Sequence, residues 1–288
     1  MAMAIRFGVN TWVWTAPFNN DAVKLFPKIK KLGFDGVELP VEDPALFDVK
    51  KIKDGLDKAD LPALSVCGAF GPDRDLSHDD PKVQENCLAY IKVCIDCAAA
   101  WGAPVIAGPL YSSVGKARLV PADQKKAEWD RAVANLRKAA KMAGDAGVRL
   151  AIEPLNRFEI DLVNVAAQAV KMVKEVGHKA LGIHLDTFHM NIEEKDVAEA
   201  VETAGAHLYH LHACENDRGA PGSGQVRWKA WAKAVKKVKY DGAVVIESFT
   251  PEVTSIAKAA AIWRKLADTQ DDLAADGLKF LRKLLRKK

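Results

Sequence analysis

The chain has 288 residues, 49% of them hydrophobic and 28% charged, with a formal net charge of +4. That composition supplies one large core, is too apolar for a disordered chain, and carries too weak a field for nucleic acid, since part of the positive excess sits in residues 279–288. No apolar run reaches the roughly 18–20 residues of a membrane span, and MAMAIRFGVN enters a β-like segment without the parts of a signal peptide, so the reading is a cytoplasmic protein.

Along the chain, short β-rich runs bounded by turn residues fall at 5–10, 36–40, 63–68, 104–108, 149–153, 181–186, 208–212 and 243–247. Between them lie stretches with apolar spacing near 3.6, such as AVKLFPKIKKLG, WDRAVANLRKAAKMAGDAG and VAAQAVKMVKEVG, each ending in the glycine that stops a helix. Strands such as VRLAIEP and DGAVVIES are short and almost wholly apolar, as parallel strands covered on both faces are. Eight β-then-α units filling residues 1–288 predict a single α/β domain closed as a (β/α)8 TIM barrel, rather than an open doubly wound sheet. Residues 111–123 read as a loop over one barrel mouth. GLKFLRKLLRKK reads as a C-terminal amphipathic helix with a solvated basic face, in preference to a membrane-surface helix. The five cysteines are an odd, scattered set that fits a reducing compartment. Cys94 and Cys97 form a C-x-x-C pair inside a predicted helix with no second pair to complete a zinc site, so packing is the expected role.

In a parallel barrel the carboxyl ends of the strands converge on one face, where polar residues form a common site. Four successive strands end in ligand-type side chains: Glu153 in LAIEPLNR, Asp186 in IHLDTFH, His212 in HLHACEN and Glu247 in VVIESF. Any one carboxylate there could merely cap the next helix; four in succession predict a metal site. Three carboxylates and one imidazole suit Mn2+ first, with Co2+ or Mg2+ as alternatives and Zn2+ not excluded. An open face on such an ion acidifies the hydrogen between a ketone and a hydroxyl, and Glu153 and Glu247 come from non-neighbouring strands, where one could remove a proton and the other return it. Hydride shift or dehydration would use similar parts. His184 and His210 are read as facing the helix layer, and His78, His178 and His207 as loop or strand-start residues with structural roles.

EPLNRFE, LDTFHMNIEE, HLHACENDRGAPGSG and YDGAVVIESF resemble the ketose 3-epimerases, the D-tagatose, D-allulose (D-psicose) and L-ribulose 3-epimerases of the xylose isomerase-like barrel class. The likeness runs over most of the chain. It implies a homodimer or homotetramer that epimerises free ketoses at C3 with Mn2+ or Co2+, by two-glutamate deprotonation and reprotonation through an enediolate. By position, Glu153, Asp186, His212 and Glu247 match the family's metal ligands, Glu153 and Glu247 its catalytic acid/base pair, and Glu159, His189 and Arg218 its contacts to the ketose oxygens. Without the resemblance, Glu159 reads as a helix-start carboxylate and Arg218 as a solvated loop charge. Phe7, Trp14, Cys67 and Leu110 are expected to line the pocket beyond the metal. RGAPGSGQVRW could cradle a phosphate, but the likeness makes it a lid-side loop for an unphosphorylated sugar. Rival readings are a hydroxypyruvate isomerase or inosose dehydratase of the same superfamily and, on another substrate, a DNA-repair nuclease resembling endonuclease IV. The nuclease would need more histidine and carboxylate ligands, and strand three ends SVCGAF.

Overall fold

The computed structural model describes residues 5–285. Eight strands, β1 (Arg6–Asn10), β2 (Gly36–Val41), β3 (Ala63–Gly68), β4 (Val105–Gly108), β5 (Arg149–Ile152), β6 (Leu181–Asp186), β7 (Leu208–Ala213) and β8 (Ala243–Ile246), pair in parallel with their sequence neighbours, and β8 closes on β1. Around them run α1 (Phe26–Leu32), α2 (Val49–Lys58), α3 (Pro81–Trp101), α4 (Ala122–Asp145), α5 (Ala166–Val176), α6 (Thr187–Glu193), α7 (Val197–Ala204), α8 (Trp228–Lys237), α9 (Thr254–Ala259) and α10 (Gln270–Leu285). The predicted barrel is the observed one, and each predicted strand is present to within a residue at either end. The last three residues of the predicted terminal helix lie outside the described residues.

One expectation fails for a simple reason. The apolar period of AVKLFPKIKKLG predicts a continuous helix, but the chain makes a 3-10 turn at Asn20–Lys24 and starts α1 only at Phe26. Pro27 has no N–H to donate to the preceding turn, so it is tolerated in the first turn of a helix and not further in.

The main core lies between the barrel and the helices, where Phe7, Val9, Leu39, Leu150 and Ile183 meet apolar helix faces. The barrel bore is narrow. A Cβ on Gly36 would stand 2.4 Å from the Pro62 carbonyl oxygen, so β2 can approach β3 only with glycine there. The floor of the bore is apolar, built from Leu64, Ala243 and Val245 on one side and Val105, Ala107 and Ala151 on the other. Above it the register skips one residue in β3, between Ala63 and Ser65, and one in β7, between Leu208 and His210. Such skips re-aim the residues that follow, and here they bring Ser65, His210 and His212 into the bore.

The cysteine expectation holds. Cys94 and Cys97 are buried in α3, and burial pushes their thiols up to about 12 and about 11, far from a reactive thiolate. Among the described residues no helix is long and apolar enough to cross a membrane.

Candidate active site

Period two within a strand decides which side chains reach the bore. In β6, His184 and Asp186 share the inner face; in β7, His210 and His212 do. The expectation that His184 and His210 face the helix layer is therefore wrong: the His184 ring lies 4.1 Å from that of His212 and 5.0 Å from that of His210, all fully buried. Two residues before an inward ligand is again inward.

Glu153 and Glu247 are the first residues beyond β5 and β8, Asp186 is the last residue of β6, and His212 stands one before the end of β7. All four are at most 5% exposed. One oxygen of Glu153, one of Asp186 and one nitrogen of His212 lie within 4.8 Å of one another, and His212 Nδ1 is 3.4 Å from Glu247 Oε1. Asp186 is at once a helix cap and a member of the cluster. Its Oδ1 accepts from the Phe188 N–H at 2.9 Å at the start of α6, while its Oδ2 accepts from Arg218 Nη1 at 2.5 Å. Capping α6 does not take that carboxylate out of the cluster.

Arg218 is the positive centre of the cluster. The same Nη1 donates to Glu247 Oε2 at 2.8 Å, Nη2 lies 3.2 Å from His189 Nε2, and the guanidinium carbon stands 4.0 Å from the centre of the Phe188 ring. Its backbone adopts φ 69°, a conformation uncommon outside glycine. That turn is held from both sides: Ser248 Oγ donates to the Arg218 carbonyl at 2.6 Å, and Arg218 N–H donates to the Glu215 carbonyl at 3.0 Å. Glu215 in turn accepts from the Gly222 and Val226 N–H groups and from Trp228 Nε1, so the glycine-rich segment is tied down around a buried carboxylate.

Charge is unevenly shared. Burial raises the Glu153 carboxyl well above its usual range, with the neighbouring Glu247 and Asp186 adding to the rise. Burial also opposes ionisation of Asp186, yet the Arg218 guanidinium and the two imidazoles His189 and His212 bring it down to about 2. For His212 burial disfavours the charged ring, but the Glu38 and Glu247 carboxylates outweigh it and lift the ring well above the ordinary imidazole range.

Glu153 and Glu247 open on a cavity of about 340 Å3. Glu153, Glu159, His189, Arg218 and Glu247 form its polar side; Trp12, Cys67, Phe249 and Ile256 form an apolar side. Glu159 is aimed by Asn156, whose Nδ2 donates to Oε1 at 2.7 Å, and the Asn156 N–H donates to His189 Nδ1 at 3.1 Å. A larger groove of about 790 Å3 lies on the outer surface between α8 and α10, beside Trp228 and Phe280, and touches none of the ligand-type residues. The ligand-type residues gather at the smaller cavity.

Of the expected pocket residues, Cys67 lines this cavity and three others do not. Phe7 occupies an odd position in β1, so it points into the helix layer while Gly8 and Asn10 point inward. Leu110 is wholly buried in the outer core, and Pro109 lines the cavity instead. Trp14 follows a 3-10 turn at Thr11–Val13 that carries it away: its Nε1 donates to Asp271 in α10 at 2.6 Å and Lys28 lies 4.8 Å from the centre of its ring. Trp12, two residues earlier, takes the place expected of it. Phe249 and Ile256 were also missed; Phe249 directly follows the Glu247–Ser248 pair and was findable by position, whereas nothing in TSIAKA marks Ile256 as a cavity residue.

The fit to a cation rests on unsatisfied atoms. Glu153 Oε1 and His212 Nδ1 are buried and have no hydrogen-bond partner among the described residues. Buried polar atoms are seldom left so, and a cation bound by the cluster would satisfy both.

Residues 26–284 match the family model of the xylose isomerase-like TIM barrel. The chain is 35% identical over 278 residues to a probable ketose 3-epimerase of Synechocystis sp., covering 96% of each chain, and 31% identical to the D-psicose 3-epimerase of Ruminiclostridium cellulolyticum, covering 94% and 93%. Its fold superimposes on that of a D-allulose 3-epimerase from Methylomonas sp. in complex with D-allulose with a TM-score of 0.92, at 29% identity and 99% coverage of both chains. The strand-end cluster therefore belongs to an isomerase, and the chain is a member of the xylose isomerase-like TIM barrel family, among its ketose 3-epimerases.

Proposed function

We propose that this enzyme inverts C3 of free ketoses of the D-fructose/D-allulose, D-tagatose/D-sorbose or L-ribulose/L-xylulose type, using a divalent cation held by Glu153, Asp186, His212 and Glu247. The carrying observation is that carboxylates beyond β5 and β8 open on one cavity, and that Glu153 Oε1 and His212 Nδ1 are buried without a hydrogen bond. The named activities of the relatives support the same reading. The oxygen-rich donor set favours Mn2+, with Co2+ or Mg2+ as substitutes. When bound, the ion would polarise the C2 carbonyl and stabilise the negative charge that develops as C3 loses its proton.

The remaining work is done by the chain. Glu153 and Glu247 stand three strands apart on the barrel rim, so each meets the sugar from its own sector. One takes the C3 proton, the other returns a proton to the opposite face, and the roles exchange when the reaction runs backward. Glu159, His189 and Arg218 hold the ketose oxygens, while Trp12, Cys67 and Phe249 exclude water from the other side of the cavity. A homodimer or homotetramer in the cytoplasm is the setting this reading carries with it.

The test is an assay of the purified, Mn2+-loaded protein against a panel of free and phosphorylated ketoses. The expected products are 3-epimers of free ketoses, with deuterium at C3 when the reaction runs in D2O. Turnover confined to phosphorylated sugars, or aldose and dehydration products in place of 3-epimers, overturns the proposal.

A further inference from the structure

One fully buried carboxylate in the bore lies outside the proposed ligand set. Glu38 sits in the middle of β2, fully buried, with its carboxylate accepting four hydrogen bonds: from Asn10 Nδ2 at 2.8 Å, Ser65 Oγ at 2.5 Å, His210 Nε2 at 2.8 Å and His212 Nε2 at 2.7 Å. The donors come from β1, β3 and β7, so one side chain ties four strands together inside the barrel. A carboxylate offers about four acceptor positions, and here all are used. A buried carboxylate whose acceptor positions are all filled is fixed in orientation by its donors.

We propose that Glu38 is the positioning residue of the metal centre: by accepting from Nε2 of His212 it fixes that imidazole with its proton on Nε2 and presents Nδ1 to the cation. The arrangement follows from the chemistry of imidazole, since a ring that gives up a proton to bind a cation through one nitrogen keeps its remaining proton on the other. Nδ1 is the nitrogen that faces Glu247 Oε1 at 3.4 Å and makes no hydrogen bond. His210 is bound to the other Glu38 oxygen at 2.8 Å, so Glu38 cannot rotate toward His212 or away from it without breaking a second bond. Ser65 and Asn10 close the remaining directions. A carboxylate holding the far nitrogen of a ligand histidine fixes its orientation and raises its basicity, and loss of such a partner costs about 10–100-fold in metal affinity.

The inference rests on the ligand set proposed above, and calorimetric titration of the metal-free protein with Co2+ separates the two. Wild type is expected to bind one Co2+ per chain, His212→Ala to lose that binding, and Glu38→Gln to bind about 10–100-fold more weakly, because a carboxamide presents one acceptor atom where four donors converge. Ser65→Ala removes a donor without touching the histidines and is expected to stay within about threefold of wild type. Wild type and His212→Ala binding alike would sink the ligand set itself. Wild-type binding lost in His212→Ala but unchanged in Glu38→Gln overturns only the role of Glu38, as does an equal loss of thermal stability in Glu38→Gln with and without metal at unaltered affinity. Should Glu38→Gln fail to fold, nitrogen-15 NMR of the Zn2+-loaded, histidine-labelled wild type decides the matter: a His212 proton on Nε2 upholds the proposal, and one on Nδ1 overturns it.

Discussion

Arg218 stands where two anionic side chains would otherwise repel each other, and its planar fork spans Asp186, Glu247 and His189 at once. Lysine keeps the charge, but its three donors sit on one compact nitrogen that cannot fill the separate places of Nη1 and Nη2. Arg218→Lys should therefore lower kcat/KM by about 100-fold, or about 2.7 kcal/mol of transition-state stabilisation, as steady-state kinetics on a converted ketose would record; an unchanged value removes Arg218 from the site. Glu247→Gln preserves shape but removes the proposed proton carrier, and turnover should fall by about 10²–10⁴-fold while circular dichroism and the melting temperature stay near wild type. How much of this cluster a reader of the sequence can find depends on strand parity. Glu153, Asp186, His212 and Glu247 are legible because each ends an apolar run. His184 and His210 are misjudged when each is weighed alone, and become inner residues once counted in steps of two from Asp186 and His212. Glu38 is the harder case: its partners come from three other strands, two of which skip a residue in their pairing, and no local pattern announces those skips.

At the scale of elements, the segment after β4 shows how a loop of the barrel mouth is made rigid. Lys116 reaches back into the protein, its Nζ donating to Asp75 Oδ2 at 2.9 Å and Ser77 Oγ at 2.7 Å, with Glu128 of α4 at 3.7 Å. Arg118 pairs with Asp161 and Glu128, and Gly115 N–H donates to the carbonyl of Glu159, a cavity residue. Lys116→Ala leaves Asp75 as a buried, uncompensated charge and should cost about 3 kcal/mol in a urea unfolding experiment; a loss of a few tenths would mean that the pair is solvated. The same network sets an acid limit. Burial raises the carboxyls of Asp75, Glu128 and Asp161, but their hydrogen bonds and cations outweigh it and leave all three lowered. A carboxyl lowered in the folded state contributes stability that is present above its unfolded value, near pH 4, and is lost as pH falls through the folded one. Unfolding free energy should thus decline below about pH 4, and less steeply in Lys116→Ala. The strands were legible because burial on both faces writes them as apolar runs. The segment 111–123 was legible only as a loop, because its order comes from ion pairs with residues as much as 43 positions away.

For the whole molecule, a closed barrel has no sheet edge to protect and brings eight strand ends to one rim. Stability and site are thereby coupled, since the four proposed ligands come from β5 to β8 and any ion they shared would link half of the barrel. The folded chain holds Glu153, Asp186 and His212 within 4.8 Å of one another, an arrangement the unfolded chain does not keep, so a cation binds the native state selectively. At a free concentration of 100 times Kd such binding adds about 2.7 kcal/mol, which for a domain of this size raises the melting temperature by roughly 5 °C. Scanning calorimetry of chelator-treated protein with and without added Mn2+ measures this directly. The shift should grow with metal concentration, be absent in Glu153→Gln combined with His212→Ala, and weaken as pH falls, because protons then compete for the Glu153 carboxyl and the His212 ring, both of which bind them more tightly than usual in the folded chain. A melting temperature indifferent to Mn2+ across that range would show that the carboxylates and the imidazole, although gathered at one point, hold no ion there.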